Sequence, residues 1–386
     1  LSALPPDFTL LQITPRLETG GAEQTTLDIA AAVQAVGGRA IVASMGGRME
    51  AGLGGAALFK MPAHSKNPLT MLVNAVRLAQ LIRRERVSLV HVRSRAPAFS
   101  ALLAARATGV PLVATYHGVY KARSALKRWY NGVMTRGRVV IANSDYTRDH
   151  VIAAHRIDPA RVVAIPRGVD IARFDPAAVG PERLQALATA WGLDADDRRV
   201  KVLLAGRLTR WKGQRLAIEA VAQLKARGQD DVLLILAGDS QGRAGYRAEL
   251  DAAILALGLR DQVRIVGHCA DMPAAYALCD LAIAPSLEPE AFGRTAVEPQ
   301  AMGRTVIAAD HGAPRETVAL GETGWLAKAG DVEAWTEALG AALAAGPERR
   351  AQMGAAAMAR ARRLYSVRTM SDATLAVYTD VLAGRW

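Results

Sequence analysis

Residues 285–310 read PSLEPEAFGRTAVEPQAMGRTVIAAD, and their pattern sets the fold class. Ahead of them, Leu281-Ala282-Ile283-Ala284 is a short apolar run with the length of a buried strand end. Behind the loop, Thr305-Val306-Ile307-Ala308-Ala309 is a second such run, reached through Ala301-Met302-Gly303-Arg304. A strand, a loop, a helix and a strand in that order form an α/β unit, and parallel sheets bind ligands at such turns. The turn carries two carboxylates, Glu290 and Glu298, with Phe292, Gly293, Arg294, Thr295 and Ala296 between them. Gly293 lets backbone come close to a ligand. A helix starting near Thr295 and Ala296 leaves amides without intrahelical acceptors, which suits a phosphate. Pro299 is at ease only in a first helical turn, so the helix is expected to begin late, near Ala296 or Val297.

Upstream, Val200-Lys201-Val202-Leu203-Leu204-Ala205 reads as a strand ending at Gly206. Arg207 and Lys212 follow on the loop before the next helix. Two cations beside a glycine turn can neutralise a diphosphate, the Arg through a bidentate fork and the Lys as a point charge. Further strands are expected at Val232–Ala237 and at Val263–Val266, the latter turning at Gly267-His268. Helices are expected over Leu184–Trp191, Tyr246–Leu257, Val332–Leu343, Arg349–Leu364 and Ser371–Leu382, with Leu320–Leu326 as a turn. Asp194-Ala195-Asp196 matches a D-x-D metal motif but sits in a linker before a strand, so no metal site is assigned.

In the first half, Phe8–Ile13 reads as a strand running through Gly20-Gly21 into a helix with Leu27, Ala30, Ala31 and Val33 at helical spacing. The Gly21 amide, at the helix start, suits a phosphate or a polar acceptor group. Gly52-Leu53-Gly54-Gly55-Ala56-Ala57 fits a loose dinucleotide fingerprint, yet it follows no strand and opens no helix, which excludes a dehydrogenase. Leu72–Arg86 reads as a helix. His91 lies inside the buried strand Leu89–Val92 and reads as a satisfied interior histidine, whereas Arg93 and Arg95 follow that strand. His117 stands where the strand Pro111–Tyr116 meets its exit loop. Val119–Val140 interleaves Lys121, Arg123, Lys127, Arg128, Arg136 and Arg138 with Tyr120, Trp129 and Tyr130. It suits either an anionic membrane surface or a solvated basic face over a core helix. Ser144 or Asp145 can cap the following helix. Gly168, after the strand Val162–Ile165, is a hinge position.

The length of 386 residues suggests two domains at roughly 150 residues each. The formal charge of +12 favours an acidic partner, anionic lipid or a phosphate-rich substrate, and no nucleic-acid-binding motif accompanies it. Cys269 and Cys279 form no disulfide framework and fit a reducing cytosol. Leu1–Pro6 lacks the pattern of a signal peptide, and no apolar run approaches the roughly 20 residues that span a bilayer.

The Glu290/Glu298 spacing resembles the E-x7-E motif of retaining GT-B glycosyltransferases of family 4. Gly20-Gly21-Ala22-Glu23, Thr115-Tyr116-His117-Gly118 and the G-R-L-x-x-x-K-G run from Gly206 to Gly213 are similar to further motifs of that family. The resemblance covers nearly the whole chain. Ile165-Pro166-Arg167-Gly168-Val169-Asp170 is similar to its domain crossover, with Arg167 where Asn is usual. The resemblance implies an α/β GT-B architecture, two Rossmann-like domains with parallel sheets facing across a deep cleft. Residues 1–168 would be the acceptor-binding domain, joined by a C-terminal helix at about 366–386. Residues 169–365 would bind the nucleotide sugar. It implies metal-independent, retaining transfer from a UDP- or GDP-sugar to a hydroxyl acceptor, lipid-linked or of lipopolysaccharide type, without cofactor. The setting would be the cytoplasm or the inner face of its membrane.

By that resemblance His117 lies beside the donor sugar, and Gly206, Arg207 and Lys212 bind the diphosphate. Backbone at Gly267 and His268 meets the base. Glu290 meets the sugar hydroxyls or supports charge at the reacting carbon. Amides from Phe292, Gly293, Thr295 and Ala296 hold the sugar and β-phosphate, and Glu298 takes the ribose hydroxyls. Gly20 and Gly21 face the acceptor, and Glu23 either contacts the acceptor or caps its helix. A nucleotide-sugar epimerase or hydrolase on the same architecture is the alternative, marked by donor turnover without acceptor. A non-catalytic sugar-nucleotide binder or membrane adaptor is a further one.

Overall fold

The computed structural model describes residues 4–18, 20–120, 124–194, 196–242 and 244–386. The chain divides into two compact units, Leu1–Gly168 with Val367–Trp386, and Val169–Ser366.

Unit 1 alternates strands and helices. Its strands are β1 (Thr9–Ile13), β2 (Arg39–Ser44), β3 (Ala57–Lys60), β4 (Leu89–Val92), β5 (Leu112–Tyr116), β6 (Val139–Ala142) and β7 (Val162–Ala164). Its helices are α1 (Gly21–Ala35), α2 (Pro68–Arg84), α3 (Arg95–Thr108), α4 (Ala125–Asn131) and α5 (Asp145–His155). The strands form one parallel sheet in the order β3-β2-β1-β4-β5-β6-β7. Successive residues of a strand point to opposite faces. Leu11, Val90 and Ala114 therefore pack on one side with Leu78 of α2 and Ala101 of α3. Leu10, Leu89 and Val113 pack on the other with Ile29 of α1. A sheet covered on both faces explains why its strands read as continuous apolar runs.

Unit 2 repeats the plan. Its helices and strands in order are α6 (Pro181–Ala190), β8 (Val200–Ala205), α7 (Gln214–Ala226), β9 (Val232–Ala237), α8 (Ala244–Ala256), β10 (Val263–Gly267) and α9 (Met272–Leu278). Then come β11 (Leu281–Ala284), α10 (Arg294–Ala301), β12 (Thr305–Ala309), α11 (Pro314–Thr317), β13 (Gly324–Ala327), α12 (Val332–Ala344) and α13 (Gly346–Leu364). The parallel order is β10-β9-β8-β11-β12-β13. Both sheets reverse direction of growth beside their first strand, between β1 and β4 and between β8 and β11. Those are the switch points where loops at the strand C-terminal ends part and leave a crevice.

The last helix, α14 (Val367–Leu382), belongs to unit 1. Met370, Leu375, Tyr378 and Val381 lie in one core with Phe8 and Leu10. At the boundary, the Val169 amide donates to the Tyr365 carbonyl (2.6 Å) within unit 2, and a Cβ on Gly168 would stand 2.5 Å from Val367 Cα within unit 1.

Several local expectations change. α10 begins at Arg294 and keeps Pro299 inside it, so the helix does not start late. Gly293, with φ 81°, is its N-cap, and the proline forgoes only the bond to the Thr295 carbonyl in a helix of 8 residues. Leu320–Leu326 is not wholly a turn, because Gly324 opens β13, paired along β12. The glycine run at 52–57 leads into the edge strand β3. The 119–140 stretch is no single helix: α4 has 7 residues and is followed by a 3-10 turn, Gly132–Thr135, and β6, while residues 121–123 lie outside the described residues. So does Ala195 of the D-x-D match; there the Asp194 carboxylate accepts from the Asp196 amide (2.9 Å).

Candidate active site

Unit 2 builds its site at the β8/β11 switch point. The loop after β8 carries Arg207 and Lys212, and the loop after β11 carries Ser286 and Glu290. Gly213 lets the first loop close on the second: its φ is 76°, and any Cβ there would stand 1.9 Å from the Pro285 carbonyl oxygen. The Leu287 amide donates to the Trp211 carbonyl (2.7 Å), which clamps the loops together. Lys212 Nζ then donates to Glu290 Oε1 (2.7 Å), with the two side chains only 11% and 12% exposed. The Ser286 hydroxyl donates to the same carboxylate oxygen. His311 Nε2 meets the Ser286 carbonyl (2.8 Å), and the Ala313 amide donates to the Glu290 carbonyl (3.0 Å). Glu290 is thus fixed through side chain and backbone, and Lys212 is held over the Trp211 ring at 4.5 Å.

Arg207 differs. It is exposed, and its guanidinium has no ion pair or hydrogen bond among the described residues. Its carbonyl is held by Gln214 Nε2 (2.9 Å), so a fixed backbone presents an unspent cation. At α10, Arg294 pairs with Glu298 (2.6 Å), and Tyr276 donates its hydroxyl to the other carboxylate oxygen (3.3 Å). Burial first, and then Glu298, raise the Tyr276 pKa far above the usual phenol range, so that phenol stays a donor. Each oxygen of Glu298 keeps a lone pair for a further donor. Of the amides expected at the helix start, that of Ala296 is already bonded to the Gly293 carbonyl (2.9 Å), leaving the preceding ones to lead the helix. Thr295 is half-buried, and Phe292 is buried against Tyr365 at 5.8 Å. Gly267 ends β10, with its carbonyl accepting from the Gly238 amide (2.7 Å), and His268 is exposed beyond it.

Unit 1 gathers its polar residues at the C-terminal ends of β1, β4, β5 and β7. His117 has both ring nitrogens buried without a hydrogen-bond partner among the described residues. Burial, then Arg167 and Arg93, hold its pKa well below the usual imidazole value, so it is neutral near pH 7. Its carbonyl accepts from Arg167 Nη2 (3.1 Å) and Asn143 Nδ2 (3.4 Å). Arg167, standing where the resembled crossover carries Asn, also reaches the start of α1: a Cβ on Gly21 would meet its Nη1 at 2.1 Å. Glu23 folds back over Gly20, in the first turn of α1 where the helix dipole favours an acid.

Three neighbours are spent on structure. His91 bonds Tyr378 Oη (2.5 Å) and Thr115 Oγ1 (2.6 Å), as an interior histidine should. Arg93 is buried and gives Nε and Nη2 to Gln12 Oε1 (2.8 and 2.5 Å). Arg95 stacks on Tyr120 at 3.8 Å and bonds Asn131 Oδ1 (2.8 Å). Neither arginine is left open. Ser144, rather than Asp145, caps α5 by accepting from the Thr147 amide (3.0 Å). The sequence reading gave no role to Ser286, Tyr276, His311 or Arg294. Only Arg294 left a trace, four residues before Glu298, the spacing of a helical ion pair.

Two families match in succession: Glycosyltransferase Family 4 over residues 19–173, and glycosyl transferases group 1 over residues 189–360. The chain is 32% identical over 348 residues to the GDP-mannose-dependent alpha-mannosyltransferase of Mycolicibacterium smegmatis, covering 86% of this chain and 84% of that one. This chain is a member of the group 1 glycosyltransferases of family 4. Within that family it is also 32% identical over 304 residues to the D-inositol 3-phosphate glycosyltransferase of Salinispora tropica, a match that takes in 73% of this chain and 61% of that relative. A glycosyltransferase structure from Rickettsia africae superposes with a TM-score of 0.90 at 32% identity, covering 97% of this chain and 99% of that one. Anabaena Alr3699/HepE in complex with UDP-glucose follows with a TM-score of 0.80 at 26% identity over 97% and 99% of the two chains. These neighbours share the GT-B architecture with this chain.

Proposed function

We propose that this member of the family transfers a sugar, with retention, from a UDP- or GDP-sugar to a hydroxyl acceptor, a lipid-linked or lipopolysaccharide-type glycan. The observation that carries the reading is the Lys212–Glu290 pair beside the open cation Arg207, at the switch point of unit 2. Arg207 and Lys212 would take the diphosphate, with Gly206 and the amides at Gly293 and Thr295 supporting it. Glu298, oriented by Arg294 and Tyr276, would accept the ribose hydroxyls, and backbone at Gly267 and His268 would meet the base. Glu290, held by Lys212 and Ser286, would orient the sugar hydroxyls. In unit 1, Gly20, Gly21 and Glu23 are assigned to the acceptor, and the neutral His117 to the reacting sugar.

In this reading the bond from the anomeric carbon to the β-phosphate oxygen breaks and the acceptor oxygen bonds that carbon on the same face. The acceptor's proton passes to the leaving phosphate. Charge grows on the diphosphate as the bond breaks, so fixed cations favour the transition state over the ground state. No resident metal is needed where two cations and helix amides do that work. The reading of UDP- or GDP-sugar draws on the GDP-mannose-dependent relative and the UDP-glucose complex.

The test is a thermal-shift panel of UDP, GDP, UDP-glucose and GDP-mannose, since a ligand of the native state at a hundredfold excess over Kd stabilises by about 2.7 kcal/mol. One nucleotide class should raise the melting temperature of the wild type and not of Lys212→Met. A flat response across the panel refutes the reading.

A further inference from the structure

The +12 formal charge is not spread along the chain. Residues 51–144 hold 15 Lys and Arg against a single acid, Glu85, while the remainder of the chain carries a small negative balance. That segment supplies α2, α3 and α4 of unit 1. On α2, Leu69, Leu72, Val73 and Val76 recur at i, i+3, i+4 and i+7, the spacing of one helix face, and are 73%, 54%, 57% and 59% exposed. The opposite face of α2, with Leu78 and Ile82, is buried in the core. The exposed stripe is therefore an apolar face beyond what folding needs. The same exposed face continues into Gln80, Arg83 and Arg84 at the helix end.

The apolar surface extends across α3 to α4. Ser100 Oγ donates to the Met71 carbonyl (2.8 Å), which sets α3 beside α2, and Leu103 is exposed one turn further on. Phe99 stacks on Trp129 of α4 at 5.4 Å, and Trp129 and Leu126 are 54% and 74% exposed. Trp129 also lines a cavity of about 760 Å³, with Arg128, Arg136, Arg156, His150 and His155 around it and no carboxylate among the described residues of its wall. Arg136 sits over the Trp129 ring at 5.0 Å.

We infer that this face of unit 1, with the α2 stripe at its centre, docks on an anionic phospholipid surface. The aliphatic stripe and Trp129 enter the headgroup boundary, and the basic pocket beside Trp129 takes a lipid phosphate. Aliphatic side chains with a tryptophan at the margin suit an acyl interface, and a rim of cations suits anionic headgroups. A second copy of this chain is disfavoured, because two such faces would bring like charge against like. Nucleic acid would use the cations and leave the aliphatic stripe uncovered. The contact is centred on α2, and α4 contributes its edge. The docking stands apart from the sugar-transfer reading, and the experiment separates the two.

The full chain is floated with vesicles of phosphatidylcholine alone or with about one third phosphatidylglycerol, the anionic component that basic segments seek. Recovery is expected with the anionic vesicles only, falling as added salt shortens the Debye length from about 10 Å at 0.1 M to about 3 Å at 1 M. Leu72→Glu/Val76→Glu lies on the solvent side of α2 and should lower vesicle partition at least about tenfold. Arg128→Glu/Arg136→Glu should do the same through the rim. Both variants should keep the wild-type thermal response to nucleotide, which reports unit 2. No recovery with either vesicle overturns the inference, as does equal recovery with both. Wild-type flotation of Leu72→Glu/Val76→Glu removes α2 as the docking face. Concentration-dependent dimerisation that this variant abolishes, without vesicle binding, assigns the face to self-association instead.

Discussion

Replacing Lys212 with methionine tests the site through two readouts that move differently. The Lys212–Glu290 contact is short, 2.7 Å, and both side chains are about nine-tenths buried. Removing one partner of a buried pair costs about 3–5 kcal/mol because the other charge is left uncompensated. Here Ser286 still donates to Glu290, so the loss should fall near or just below the lower bound, about 2–3 kcal/mol in urea unfolding of unit 2. Turnover should fall by about a hundredfold to a thousandfold, the scale of losing one stabiliser of developing charge. Adding Glu290→Gln removes the stranded carboxylate. The double variant should regain most of the lost stability and none of the turnover. The assay pairs denaturant curves with sugar transfer from the donor identified by the nucleotide panel. A Lys212→Met protein with wild-type turnover refutes the assigned role. A double variant less stable than the single one refutes the account of the pair.

Other outcomes follow from single observations. Glu298→Gln should weaken binding of the nucleoside diphosphate by about tenfold, equivalent to 1.4 kcal/mol, and Tyr276→Phe by less, both read by calorimetry; equal affinity would remove Glu298 from the nucleotide site. Gly213→Ala should cost at least about 1–3 kcal/mol from its φ of 76° alone, before the clash with the Pro285 carbonyl, and melting should show it. His91 and His117 are both held neutral by burial, with folded pKa values well below the ordinary one. Below the unfolded value near 6.5 the unfolded chain takes up protons that the folded chain refuses, so stability falls as the pH falls from there toward the folded values. Each contributes up to about 1.4 kcal/mol per pH unit over that window, and His91→Phe should shallow the slope measured between pH 7.5 and about 5.5.

The fold was largely open to reading because both sheets are covered on two sides. Strands such as Val232–Ala237 are then uninterrupted apolar runs, and glycines mark their exits. What escaped lies where local pattern and tertiary context part. β3 and β13 are short edge strands with half-exposed residues, so neither offers a long apolar run. Pro299 argued for a late helix start, but an 8-residue helix tolerates one missing bond when the Pro299 ring is buried. At the site, the cations and carboxylates stood out as charges on glycine loops. Their partners did not, because Ser286 meets Glu290 only through the curl of the loop they share and Tyr276 reaches Glu298 from a separate helix, and a serine before a glutamate carries no signal of its own. The α2 stripe shows the converse. Periodicity reveals that a helix has an apolar face and is silent on which neighbour covers it; only the fold shows that one face of α2 is left bare.

The place of α14 bears on how the chain is made. Tyr378 is fully buried against Phe8 and bonds His91, so the first-built sheet lacks part of its packing until residues 367–386 have left the ribosome. Unit 2 is continuous in sequence and has no such wait. The lobe synthesised second can therefore mature first, while the earlier one holds an exposed apolar seam and a histidine that keeps Thr115 but lacks its Tyr378 partner. During that interval the nascent protein is open to chaperone capture, and a premature stop near residue 366 would yield a finished second lobe joined to a first lobe that never seals.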